Sequence, residues 1–209
     1  MTGFKLIVQK YGETYLNSPE KIKSVAERIK RYVDRGYSVV ATVSAMRNPV
    51  DMLVGLAEKM SSGSEYRELD MITSAGEQIS AALIAIALNE SGVDAISFNG
   101  SQVGLLTNGN FSNALIRSIP PERLMKSLEA FKAVIVTGSQ GVDNDGNITN
   151  LGPGGADTAA VAFAAVLGSR ECEIYTESGG VYTADPRIVS NPEKLKEISY
   201  DEMFELSRL

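Results

Sequence analysis

"KLIVQKYGETYLNS", residues 5–18, reads as strand, turn and helix start in fourteen residues. The run from Lys5 to Val8 is apolar after its first residue and does not alternate, so the strand is expected to be buried on both faces. It ends at Lys10, Gly12 marks a tight turn, and Ser18-Pro19 places a capping hydroxyl before a proline suited to the first helical position. A lysine and a glycine turn between strand and helix suit a phosphate. The lysine is a mobile point charge, and the glycine lets backbone N–H groups approach the oxygens. Glu13 and Tyr15, in the same turn, bring charge and bulk to where that anion would lie.

The alternation continues outward. Ile22, Val25, Ile29 and Val33 form a helical stripe ended by Gly36, and "YSVVATVS" (37–44) is a second buried strand. Residues 50–60 read as a helix and 67–91 as a long helical region with a possible break at Gly76. "VDAISFN" (93–99) is a strand, "LIRSI" (115–119) a short one, and Pro120-Pro121 opens a helix to about Phe131. "KAVIVTG" (132–138) is a strand, and the Asp-Gly signal in "VDNDGNITN" (142–150) suggests a hairpin. A glycine-rich entry leads into an alanine-rich helix, followed by the strand "ECEIYT" (171–176) and a last helix, "SYDEMFELSRL" (199–209). Apolar strands separated by helices predict an α/β protein, a three-layer α/β/α sandwich with a mostly parallel central sheet. Ligands of such sheets lie beyond the carboxyl ends of the strands, where Lys10, Ser44, Gly138 and Thr176 are expected to converge. The helix 79–88 is apolar nearly all round, which predicts part core and part dimer face.

Composition narrows the chemistry. The 209 residues are 44% apolar with a net charge of −6, which argues against nucleic acid as a partner. The basic stretch Lys21–Arg35 alternates with apolar residues at helical spacing and reads as a solvated helix face. No signal-like segment opens the chain, and no uninterrupted apolar run matches a bilayer, so no membrane partner and a cytoplasmic setting are expected. The single cysteine, Cys172, fits a reducing compartment. The absence of histidine excludes His-based triads and His-containing metal sites; phosphoryl transfer, which depends on positioning and charge neutralisation, suits the remaining residue types.

The Walker lysine loop is absent, and "GPGGAD" (152–157) has Asp157 where a dinucleotide fingerprint needs its third glycine. Instead, "KYGET" (10–14), "VSAM" (43–46), "RELDMITSAGEQIS" (67–80), "GSQGVDNDGNITNLGPGGADTAA" (138–160) and "YTESGGVYTADPR" (175–187) follow one another in an order and spacing that resemble the aspartokinase catalytic domain of the amino-acid kinase family. The resemblance runs from about Phe4 to the last residue. It implies phosphorylation of a substrate carboxylate by ATP with Mg²⁺. By resemblance, Lys10 lies against the transferring phosphate and Asp157 holds it. Glu77, Ser44 and Thr14 bind the amino-acid substrate. Gly12, Gly154, Gly155, Thr176, Tyr182, Asp185, Pro186 and Arg187 bind the nucleotide. It also implies one catalytic domain over 1–209 that stops within the family's last helix without ACT regulatory domains, and a homodimer or a separate regulatory subunit as partner.

Several positions depart from the family pattern. Glu13 replaces the second glycine of the first loop and Tyr15 its serine. A carboxylate ~5 Å from a phosphate charge is worth ~3 kcal/mol of repulsion at an effective dielectric of ~20, and a side chain at 13 is strained if the turn needs positive φ. Pro153 replaces an arginine that pairs with a substrate carboxylate, Ala156 a serine, Val50 a substrate-binding threonine, and Ala75 a threonine or phenylalanine. Two readings follow: an acceptor site made more apolar by Val50, Pro153 and Ala156, or a catalytically impaired nucleotide-binding paralogue.

Overall fold

The computed structural model describes residues 5–61, 63, 66–185 and 187–206. It divides into two compact units, residues 1–175 and 176–209.

In the first unit, β1 (Lys5–Tyr11) leads through a 3-10 turn at Glu13–Tyr15 into α1 (Pro19–Asp34), where the Ser18 Oγ accepts a hydrogen bond from the Lys21 N–H. β2 (Tyr37–Val43), α2 (Arg47–Met60), α3 (Tyr66–Glu90) and β3 (Ala95–Phe98) follow. Next come β4 (Leu106–Thr107), β5 (Ile116–Ser118), α4 (Glu122–Ala130), β6 (Ala133–Thr137), β7 (Gln140–Val142), β8 (Ile148–Asn150), α5 (Gly155–Leu167) and β9 (Cys172–Tyr175). Five strands form a parallel sheet in the order β3-β6-β2-β1-β9. Residues Ile7, Tyr11, Val39, Ala41, Val43 and Ile135 pack on one face under α1 and α3; Val8, Val40, Val134 and Val136 pack on the other with α4 and α5. The expected sandwich is therefore present.

A second sheet, β5-β4-β7-β8, was not foreseen. Its hairpin was: β7 and β8 pair antiparallel around Gly146 at φ +81°. Strand β4, two residues long, has too little pattern to be seen in advance.

Helix α3 carries one buried stripe whose chemistry changes along its length. Asp70, Ser74, Glu77 and Ser80 come first; Ala81, Ile84, Ala85 and Leu88 continue it against the parallel sheet. By length and composition α3 is apolar enough to cross a membrane, with a mean hydropathy of 1.5 over its best stretch. Its packing on the sheet makes it a core helix instead, in line with the core half of the reading of 79–88, and Ile79 and Ile86 face outward. The suggested break at Gly76 does not occur. A Cβ there would lie 2.3 Å from Val50 Cγ2 and 3.0 Å from Ala45 Cβ, so the glycine admits α2 and its preceding loop rather than ending a helix.

Asp70, only 2% exposed, ties the two sheets' surroundings together. It accepts hydrogen bonds from the Ser112 N–H (2.8 Å), the Ser112 hydroxyl (3.0 Å) and the Asn150 N–H (2.8 Å). Asp70→Ala leaves buried donors unmatched and is expected to lower stability by about 2–3 kcal/mol, measured by urea unfolding; an unchanged midpoint would remove Asp70 as an anchor.

In the second unit, Tyr182 bridges antiparallel to Lys194, Thr183 and Leu195 bond to Glu193 and Val181 through the backbone, and α6 (Tyr200–Leu206) follows.

Candidate functional site

The carboxyl ends of three parallel strands are stitched together. The Ser44 N–H donates to the Tyr11 carbonyl (3.1 Å), and the Gly138 N–H to the Val43 carbonyl (2.8 Å). Above them opens a cavity of about 490 Å³ lined by Lys10, Gly12, Glu13, Ser44, Ala45, Met46, Arg47, Val50, Asp51, Thr73, Glu77, Ser139 and Asn150. Of the four strand-end residues expected to converge, Lys10 and Ser44 line this cavity and Gly138 lies at the stitched strand ends, while Thr176 belongs to the second unit.

Lys10 sits one residue before the end of β1, in register with Thr42. Its ammonium is 2.8 Å from Asp157 Oδ1, with side chains 13% and 43% exposed. The contact is an ion pair rather than an aligned hydrogen bond, since that oxygen has no hydrogen-bond partner. Asp157 lies in the first turn of α5, where the helix dipole favours an anion. The Gly154 N-cap, at φ +76°, has no side-chain cap, so the N-terminal N–H groups of α5 meet no local hydroxyl or carboxylate.

The start of α5 is held close to the strand ends by a glycine. A Cβ on Gly138 would lie 2.6 Å from Ala156 Cβ and 2.9 Å from the Val43 carbonyl oxygen. Gly138→Ala is expected to cost about 1–3 kcal/mol through overpacking, read from chemical denaturation. It should also weaken any activity that depends on Asp157. Wild-type stability would show that α5 can move away freely.

Glu77 reaches the cavity from α3 and is 3% exposed. Its carboxylate accepts from the Ser139 N–H (2.9 Å), the Ser139 hydroxyl and the Gln140 Nε2 (3.0 Å). Burial pushes its pKa above the ordinary glutamate value, and the Ser139 and Gln140 hydrogen bonds oppose that rise. These two donors escaped the sequence reading; their place directly after Gly138 at a strand end was the available signal.

The two intruders in the first loop have local partners. Glu13 forms an ion pair with Arg47 across the cavity mouth. Tyr15 packs edge-on against Tyr11 and Tyr175 at 6.2 Å and does not line the cavity. Glu13 is not among the residues with positive φ, so the expected backbone strain at that position is absent. The expected apolar lining is corrected too. Val50 lines the cavity, but Pro153 and Ala156 do not, and most of the wall is polar or charged.

Thr14, Gly154 and Gly155 lie outside the cavity lining. The Thr14 carbonyl accepts from the Lys21 ammonium (2.8 Å), and Gly155 packs on Leu151 and Ser139. Thr176, Tyr182, Asp185 and Arg187 belong to the second unit, where Asp185 accepts from the Arg187 guanidinium (2.7 Å) and N–H (2.8 Å). Pro186 lies outside the described residues.

A family model for the amino acid kinase family matches residues 5–208. An aspartokinase of Bacillus sp. (strain MGA3) is 48% identical over 204 residues, covering 98% of this chain and 50% of the relative. The structure of aspartate kinase from Synechocystis is 45% identical, with a TM-score of 0.84 over 97% of this chain and 34% of that one. E. coli aspartokinase III, solved in complex with aspartate and ADP in its R-state, is 23% identical with a TM-score of 0.85, covering 97% of this chain and 56% of its own; at that identity it speaks to the fold alone. The chain spans about half the length of the curated relatives it matches. With its parallel sheet, its strand-end cavity and a family match along nearly all its length, the chain belongs to the amino acid kinase family, in which it is similar to aspartokinases.

Proposed function

We propose that this chain carries the catalytic portion of an aspartate kinase, transferring the γ-phosphoryl group of ATP to the side-chain carboxylate of aspartate. The observation that carries the reading is the Lys10–Asp157 ion pair, 2.8 Å long, beside a cavity that also receives Glu77. In the reaction a carboxylate oxygen of the acceptor forms a bond to the γ-phosphorus. The bond to the bridging oxygen breaks, and its electron pair leaves with ADP. An aspartate side chain is already ionised near neutral pH, so no general base is needed.

The chain's own groups fit that chemistry. Lys10 neutralises charge on the transferring group, and Asp157 orients Lys10. Gly12 and Gly154 at the start of α5 are proposed to offer backbone N–H donors, whereas the Gly155 N–H is taken by the Gly152 carbonyl (2.9 Å) and Gly155 would serve by its lack of a side chain. Glu77 takes the acceptor's ammonium, and Ser44 lines the same cavity. Thr14 stays within the proposal through its backbone only. Thr176, Tyr182, Asp185, Pro186 and Arg187 are proposed to enclose the nucleotide. Mg²⁺ is proposed to accompany the nucleotide's phosphates.

One catalytic domain, a cytoplasmic setting, and a homodimer or a separate regulatory subunit belong to the same proposal. No observation favours an inactive paralogue, because the carboxylate of Glu13 is engaged by Arg47. Incubation with MgATP and a panel of amino acids, trapping acyl phosphate with hydroxylamine, tests the reading. Hydroxamate with aspartate is the expected result; ATP binding with no hydroxamate from any amino acid would refute it.

A further inference from the structure

The acceptor proposed above carries three charges: the carboxylate that reacts, an ammonium and a second, α-carboxylate. Glu77 answers the ammonium. Two cationic side chains line the cavity, Lys10 and Arg47. Lys10 is committed to Asp157. Pro153, where the resemblance leads one to expect an arginine, has no side-chain donor and lies off the cavity wall.

Arg47 opens α2 directly after the strand-end loop, with its side chain 64% exposed, and pairs with Glu13 from the neighbouring loop. A guanidinium carries five N–H donors in a planar fork, so binding one carboxylate does not exhaust its capacity for a second. We propose that Arg47 binds the α-carboxylate of the acceptor and that Glu13 holds the guanidinium at the cavity mouth. The inference rests on the phosphotransferase reading. It gives the departures at positions 13 and 153 one explanation: the cation comes from the start of α2 instead, and the carboxylate at 13 orients it.

The test compares aspartate with β-alanine, which is aspartate without its α-carboxylate, in the wild type, Arg47→Ala, Arg47→Lys and Glu13→Gln. Arg47→Ala is expected to raise KM for aspartate ~10–100-fold, discounted for the exposure of the pair, with kcat changed by less than ~3-fold. The β-alanine KM should stay at its wild-type value, so the preference for aspartate collapses. Arg47→Lys should recover part of the loss, and Glu13→Gln should weaken aspartate by a smaller factor. Equal effects on both acceptors, or none on aspartate, would overturn the proposal. If the wild type transfers no phosphate at all, the phosphotransferase reading fails by itself. Calorimetric titration of aspartate in the presence of ADP then decides: binding ~10-fold weaker in Arg47→Ala sustains the site, and equal or absent wild-type binding overturns it.

Discussion

Lys10→Met is expected to lower kcat/KM for acyl-phosphate formation by about 10³-fold or more, about 4 kcal/mol of transition-state stabilisation. Methionine preserves the length and apolar stem of a side chain that is 13% exposed, so the loss isolates the charge. Phosphoryl transfer offers few other places for so large an effect, since the protein's contribution is positioning and neutralisation. Stability should respond far less. Asp157 is 43% exposed, and a pair so hydrated contributes about 1 kcal/mol or less. A fall in activity with a nearly unchanged melting curve is therefore the signature. Asp157→Asn should lose less, about 10²-fold, because the ammonium remains but is no longer held. The double variant should be hardly worse than Lys10→Met, since both changes remove one function. Retention of activity within ~5-fold in Lys10→Met would end the catalytic assignment, because no charge-neutralising role is that small.

What was legible in the sequence followed from runs and periods. "KLIVQK", "YSVVATV" and "KAVIVTG" are apolar without alternation because both faces of β1, β2 and β6 are covered, by α1 and α3 on one side and α4 and α5 on the other. The ion pair between residues 10 and 157 was reachable through resemblance alone; no local pattern joins positions so far apart in the chain. What stayed hidden depended on packing. Gly76 looked like a helix breaker because its reason, the Val50 side chain, lies on another helix. Asp70 drew no attention in the sequence because its donors come from Ser112 and Asn150, far along the chain. Glu13 looked like an obstacle because its partner, Arg47, is thirty-four positions away.

Those hidden pairings change the balance between the two sequence readings. A carboxylate in a phosphate loop suggests damage when it stands alone. Paired with a guanidinium, it contributes little net charge to the cavity mouth and leaves Lys10 and the start of α5 to set the local field. Thr73, Glu77, Ser139 and Asn150 add further polar and charged groups to the cavity lining, which suits a charged acceptor better than an apolar one.

Glu77→Gln is expected to raise KM for aspartate by about 10²-fold or more, the loss that follows when a buried charge pair loses one partner. The same substitution should alter the pH dependence of stability. With its pKa raised above 4.5 by burial, native Glu77 keeps its proton at pH values where the unfolded chain has released it. The native state then binds more protons than the unfolded one, so stability falls as pH rises from about 4.5 through the raised native value and levels off beyond it. In Glu77→Gln this falling limb should vanish, seen as a difference between the two urea-unfolding profiles that shrinks as pH increases. Aspartate should act oppositely on the wild type. Its ammonium stabilises the ionised carboxylate, so saturating acceptor should suppress the limb and raise the melting temperature most at the alkaline end of the window. Parallel pH profiles for the two proteins would mean that Ser139 and Gln140 fully compensate the burial of the carboxylate. An unchanged KM would mean that the ammonium binds elsewhere in the cavity. The two readouts separate a buried glutamate that merely braces α3 against β7 from one kept charged for a substrate, because bracing predicts an effect on stability with none on the acceptor.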